Sequence, residues 1–165
     1  RRAGPSGRAG TGNVPGVTAQ VEQLSEVTDE VVDAFGRLLP QLSRSARPLD
    51  RAAIAAVADS PGSTVLVARG DGGLITGMLT LVMFRIPTGL RAIIEDVVTD
   101  DAARGQGVGT ALTNEAIRIA RAAGVRTIDL TSRPSRVAAG RLYEKLGFEM
   151  RDTRVYRYLI NDTPA

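Results

Sequence analysis

The chain has 165 residues, a formal net charge of +3, 43% hydrophobic and 24% charged residues, and neither cysteine nor histidine. That length suffices for one domain with its own core, and the composition is close to the soluble globular average. The two absences exclude disulfides, thiol nucleophiles, thiolate metal sites and Ser-His-Asp or Cys-His catalysis, so any chemistry falls to carboxylates, Tyr, Ser, Thr, Arg, backbone groups or a bound co-substrate.

No apolar run approaches the roughly 20 residues of a membrane span. No apolar stretch of signal-peptide type follows the first arginines. The expectation is therefore a cytoplasmic protein with no membrane partner. Lys145 is the only lysine; the arginines alternate with Asp and Glu instead of forming a block. That is the pattern of a solvated surface. With three Phe and three Tyr for stacking, nucleic acid is not an expected partner. Arginine in an Ala/Gly/Val-rich chain suggests a GC-rich bacterial genome.

Residues 1–16, rich in Gly, Pro and polar side chains, read as a flexible leader. A folded domain over 17–160 and a short tail, 161–165, complete the expected organisation. Val17–Leu24 alternates like a strand. Thr28 is a suitable N-cap, with Asp29 and Glu30 in a first turn where the helix dipole favours acid. Val31, Phe35, Leu38, Leu39 and Leu42 follow at helical spacing, and Pro40 is expected to kink or end that helix. A second helix is expected over Leu49–Ala58, between Pro48 and the Ser60–Gly62 turn.

The period then becomes that of strands. Ser63–Arg69 and Leu74–Phe84 form a hairpin around the Gly70–Gly73 turn. Leu90–Thr99 follows as a third strand after Pro87–Gly89. Beyond the glycine-rich Arg104–Thr110 stretch, Leu112, Ala116, Ile119, Ala120 and Ala123 make one helix face, stopped by Gly124. Arg126–Ser132 reads as a strand, Arg136–Phe148 as a helix and Arg154–Ile160 as a last alternating strand. The order β-α-α-β-β-β-α-β-α-β implies one mixed, mostly antiparallel sheet flanked by helices, in the α/β (α+β) class.

The segment "RGQGVGT" (Arg104–Thr110) places bare backbone immediately before a helix. A helix N-terminus has unpaired N–H groups and partial positive charge, so a side-chain-free approach suits an anion such as phosphate. Arg104 adds a guanidinium fork for phosphate oxygens. No Lys-Ser/Thr follows the last glycine, which excludes a P-loop, and G-x-G-x-G is not the Rossmann G-x-G-x-x-G. From the residues alone, a glycine-rich turn without ligand stays open beside the phosphate reading.

The pattern R-x-x-G-x-G at Arg104, Gly107 and Gly109, the "YEKLGF" at Tyr143–Phe148 and the strand "IEDVVTD" at Ile94–Asp100 resemble the GNAT superfamily of acyl-CoA-dependent N-acyltransferases, over Val17 to about Ile160. The resemblance implies the GNAT fold and transfer of an acetyl group from acetyl-CoA to a primary amine, on a small molecule, peptide or protein. It implies CoA pyrophosphate on the N–H groups of Gly105, Gln106, Gly107, Val108, Gly109 and Thr110, near Arg104. The pantetheine arm would lie along the backbone of Val97, Val98 and Thr99.

Tyr143 would be the general acid for the leaving thiolate, and Glu95 a general base or an electrostatic anchor for the amine. Alternation along a strand keeps Glu95 and Asp96 off the same face unless a bulge intervenes. Asp129, Ser132 and Arg133 are weaker candidates for acceptor or phosphate contacts. Arg136 and Gly140 stand where the family has an Asn, which leaves the CoA contacts of that helix open. No metal is implied; a homodimer is compatible with the family but encoded by no residue pattern here. The alternative is a non-catalytic acyl-CoA-binding or sensory module on the same fold.

Overall fold

The structure, a computed structural model, describes residues 19–160. The leader over 1–16, the first residues of the first expected strand and the 161–165 tail lie outside the described residues. The elements are β1 (Gln20–Gln23), α1 (Asp29–Leu42), α2 (Arg51–Ala58), β2 (Ser63–Arg69), β3 (Ile75–Ile86), β4 (Gly89–Thr99), α3 (Val108–Ala122), β5 (Thr127–Leu130) and α4 (Val137–Lys145). The strands form one sheet in the order β1-β2-β3-β4-β5. The first four pair antiparallel, and β5 joins β4 in parallel after the α3 crossover.

Helix starts follow the capping chemistry. Thr28 Oγ1 accepts the N–H of Val31, and Asp50 Oδ1 accepts that of Ala53. The second helix therefore begins two residues later than the Leu49 boundary suggested, because Asp50 is its cap. Pro40 does not end α1, which runs on to Leu42. A proline removes one helical donor; here the buried Phe35 and Leu38 and the outward bonds of Arg37 and Gln41 described below hold the last turn in place.

The sheet separates two cores. Val31, Phe35 and Leu38 of α1 and Ile54 of α2 pack with Val65, Val67, Met78 and Val98 on one face. Val108, Leu112, Ala116 and Ala120 of α3 pack with Leu66, Ala68, Leu79, Leu81, Ala92 and Ile94 on the other. The apolar run of β2 is buried on both faces, which is why its alternation is weak in sequence. Ala123, expected on the α3 face, is exposed beyond the helix end.

Gly77 of β3 lets α3 approach. A Cβ there would lie 2.6 Å from Val108 Cγ1 and 2.9 Å from the Val98 carbonyl oxygen. Gly77→Ala is expected to destabilise the fold by about 1–3 kcal/mol, the usual range for overpacking. Urea unfolding checks this; unchanged stability would mean that α3 is free to shift.

The expected last strand, Arg154–Ile160, is not formed. Among the described residues the sheet ends at β5, and Val155, Tyr156, Tyr158, Leu159 and Ile160 are all exposed. Period-two alternation says which side chains would share a face. A strand also needs a ladder partner for its backbone groups, and that segment has none here.

Candidate functional site

The site region begins where β4 is released from its neighbours. β4 pairs with β3 from Ile86↔Gly89 to Thr80↔Glu95, then resumes at Met78↔Val98, so Asp96 and Val97 face Leu79 alone. This is a β-bulge. Asp96 takes φ 51, a left-handed conformation that Asp tolerates better than most side chains.

The bulge reverses the side-chain register. Ile94 lies in the α3 core, while Val98, four residues on, lies in the α1/α2 core. Glu95 and Asp96, at the bulge, are both exposed. β5 pairs with β4 only as far as Ile94↔Leu130. Beyond that point the β5-side edge of β4, including Val97, Val98 and Thr99, has no strand beside it among the described residues.

Asp100 then starts a short 3-10 turn, Asp101–Ala103, and Gly107 caps α3 in a left-handed conformation, φ 79. The turn's own donors are paired. Ala103 N–H donates to Asp100 O, Arg104 N–H to Asp101 O and Gln106 N–H to Ala103 O. Gln106 Nε2 also donates to Ala102 O at 3.2 Å. By contrast, no backbone carbonyl among the described residues accepts the N–H of Gly105, Gly107, Val108, Gly109 or Thr110. Of the six expected N–H groups, that of Gln106 is thus engaged in the turn and five are open. Arg104 forms a 2.5 Å ion pair with Asp101 on the surface.

The two later glycines of the motif have different causes. Gly107 is required by its positive φ. Gly109 is closely packed: a Cβ there would lie 3.2 Å from Leu142 Cδ1 of α4, which would have to give by a few tenths of an ångström, and 3.6 Å from Thr99 Oγ1. That contact brings together the end of β4, the start of α3 and α4. Thr113 Oγ1, buried, donates back to Gly109 O at 2.8 Å; nothing in the sequence pattern singled it out.

"YEKLGF" is a helix-ending device. Gly147 N–H donates to Glu144 O and Phe148 N–H to Tyr143 O, with Gly147 at φ 90. This is a Schellman motif, whose usual apolar contact joins the residues at its two ends. Here that contact is Tyr143 against Phe148, edge to face, with ring centroids 5.8 Å apart. The ring of Tyr143 is therefore part of the fold. Burial raises its pKa above the usual phenol value, opposed by the positive charge of Arg136. The phenol stays protonated at neutral pH.

Arg136 Nη2 donates to the Leu42 carbonyl at the end of α1, at 3.0 Å. At this position, where the family pattern has Asn, the side chain links α4 to α1. Asp129 faces a groove of about 480 Å³ along the free edge of β5, between the C-terminal half of α3 and Leu146–Glu149. Ser132 and Arg133 are exposed in the following loop. Among the described residues no hydrogen bond or ion pair joins these three to the glycine loop. Among the described residues no group of His, Cys, Asp or Glu could hold a metal ion, and no helix is long and apolar enough to cross a membrane.

Asp100, nearly buried, is held by Arg37 of α1, whose Nε donates to Asp100 Oδ2 at 2.9 Å. That bond, then the N–H of Ala102, holds the carboxyl pKa below its usual value. A depressed carboxyl pKa contributes stability that is full above the unfolded value of about 3.9 and is lost as pH falls through the lower folded value. Asp100→Asn is therefore expected to lower Tm at neutral pH and to flatten its fall below about pH 4. Thermal melts across pH check this; parallel profiles for both proteins would contradict it.

Residues 26–148 match the model of the acetyltransferase (GNAT) family. The chain belongs to that family. It is 37% identical over 78 residues to N-alpha-acetyltransferase 30 of Schizosaccharomyces pombe, a stretch covering 47% of this chain and 51% of that protein. It is 34% identical over 79 residues to mycothiol acetyltransferase of Beutenbergia cavernae, covering 48% of this chain and 25% of that protein. The matched stretches thus span about half of one curated relative and a quarter of the other. Among solved structures, an acetyltransferase of Trypanosoma brucei superposes with a TM-score of 0.70 at 28% identity, over 86% of this chain and 99% of that one. The GNAT fold expected from sequence is thereby borne out.

Proposed function

We propose that this chain is an N-acetyltransferase that takes its acetyl group from acetyl-CoA and delivers it to a primary amine. One observation carries the reading: five unpaired N–H groups at the start of α3 lie next to a β4 edge that β5 has left free. The first is a site for an anion. The second is a place for an extended arm that pairs with backbone. A pyrophosphate joined to a pantetheine arm has both parts. The family model and the three relatives named above, each called an acetyltransferase, support the same reading.

In this reading the amine nitrogen attacks the thioester carbonyl, an N–C bond forms and the C–S bond breaks. The proton lost by the amine passes to Glu95, directly or through water. Glu95 is exposed, so a solvent relay is available, and its charge also attracts a cationic acceptor. Tyr143 supplies the proton for the departing thiolate. Burial keeps that proton on the phenol at neutral pH, and it passes to sulfur as the C–S bond breaks and charge develops there. Arg136, whose charge opposes the burial effect on Tyr143, stabilises the phenolate left behind until solvent reprotonates it, as Glu95 returns the amine's proton to solvent. Arg104 pairs with phosphate oxygens after exchange from Asp101.

The experiment is release of free CoA thiol from acetyl-CoA, followed over a panel of small amines, peptides and protein N-termini. Amine-dependent release is expected. Tight acetyl-CoA binding with no release above hydrolysis for any amine would make the chain a binding module.

A further inference from the structure

We propose that α1 is a positioning brace for the anion loop and that Arg37 is the residue through which it acts; this rests on the acetyl-CoA reading above. Arg37 lies between the buried Phe35 and Leu38 on α1, and its side chain leaves that helix for the far end of β4. Its Nε donates to Asp100 Oδ2 at 2.9 Å, and its Nη2 donates to the Ile75 carbonyl at 2.6 Å. One turn on, Gln41 Nε2 donates to the Arg37 carbonyl at 3.1 Å. That bond orients the amide so that Gln41 Oε1 accepts the N–H of Asp101 at 2.8 Å.

The bonds divide the loop in two. Its first three N–H groups are held from outside the turn or by its cap. Asp100 N–H donates to Thr76 O at 2.8 Å, Asp101 N–H to Gln41 and Ala102 N–H to Asp100 Oδ1 at 3.1 Å. The open donors all come later, from Gly105 onward. The half that would meet phosphate is therefore carried by a half fixed to α1 and β3.

Charge gives the second reason. Asp100 is a nearly buried carboxylate at the foot of a loop proposed to receive an anion. Unpaired, it would repel phosphate and carry a desolvation penalty. Arg37 neutralises it in place and leaves its Oδ1 free to cap the turn. Arg37 touches neither the acetyl group nor the phosphate in this account. It is a positioning residue.

The test is calorimetric titration of the full chain and its variants with acetyl-CoA, at a temperature where thermal melts show each protein folded. Arg37→Met is expected to raise Kd about five- to tenfold, within the range of coupling through packed polar networks. Arg37→Lys, which restores the charge opposite Asp100, should recover part of that loss. Gln41→Met, a milder change on the helix surface, should raise Kd about two- to threefold and keeps the test decisive if Arg37→Met does not fold. Lower Tm with unchanged Kd in the Arg37 and Gln41 variants would make the contacts purely structural and overturn the proposal. Failure of the wild-type chain to bind acetyl-CoA is a different result, and it would overturn the reading of the loop itself.

Discussion

Tyr143→Phe is expected to lower kcat by roughly 10²–10⁴-fold, toward the lower end, with little change in acetyl-CoA affinity. The substitution is unusually clean because of what the ring does. Tyr143 and Phe148 close the Schellman motif that ends α4, and a Phe ring closes it equally well. The hydroxyl has no hydrogen-bond partner among the described residues, so its removal breaks no contact of the fold. Burial raises its pKa, so the hydroxyl carries its proton at neutral pH, the state from which a general acid acts. A thiolate is a good leaving group and water can reach an open site, which is why the lower end is expected. The check is steady-state kinetics on an accepted amine, with separate acetyl-CoA titrations. Loss of kcat at constant Kd marks an interaction made in the transition state. A wild-type kcat would leave Tyr143 as a helix-capping aromatic only.

Gly107→Val is expected to weaken acetyl-CoA binding at least about tenfold, equivalent to roughly 1.4 kcal/mol. Gly107 has φ 79 and is the residue from which α3 departs. A β-branched residue is poorly tolerated there, and strain of about 1–3 kcal/mol turns the loop away from its present course. The neighbouring N–H groups of Val108, Gly109 and Thr110 would lose their common direction. Gly109 is the poorer probe, because a side chain there also presses on Leu142. Titration below the melting point of the variant separates affinity from stability. An unchanged Kd in folded Gly107→Val would show that the loop's conformation does not serve the ligand.

The elements that could be read from sequence are those whose cause is local. The Thr28 cap, the strand at Ser63–Arg69 and the Gly124 stop of α3 rest on residues within a turn of where they act. The bare loop before α3 was legible for the same reason. Four features were not. Gly77 is explained only by Val108 and Leu112 arriving from a later helix. The brace from Arg37 to Asp100 spans 63 residues. The bulge at Asp96 shows only as two carboxylates in a row, which alternation can question but not resolve. The alternating Arg154–Ile160 segment erred the other way, since its pattern is good and its ladder absent.

The resemblance motifs also divide once the geometry is known. In "YEKLGF", the Gly and both aromatic rings are accounted for by helix termination, and only the Tyr143 hydroxyl is left for chemistry. In "RGQGVGT", Gly107 answers to backbone conformation and Gly109 to α4, and five N–H groups from Gly105 to Thr110 are left for an anion. What remains after each structural duty is discounted is a phenol proton and five backbone donors.

Those donors are the centre of the account, and binding to the wild-type chain tests them most directly. Thermal unfolding is followed with acetyl-CoA and, in parallel, with adenosine. At about 100 times Kd, acetyl-CoA is expected to stabilise the fold by roughly 2.7 kcal/mol, with adenosine at the same concentration giving far less. No stabilisation by acetyl-CoA, or equal stabilisation by the two, would contradict a site built to read phosphate.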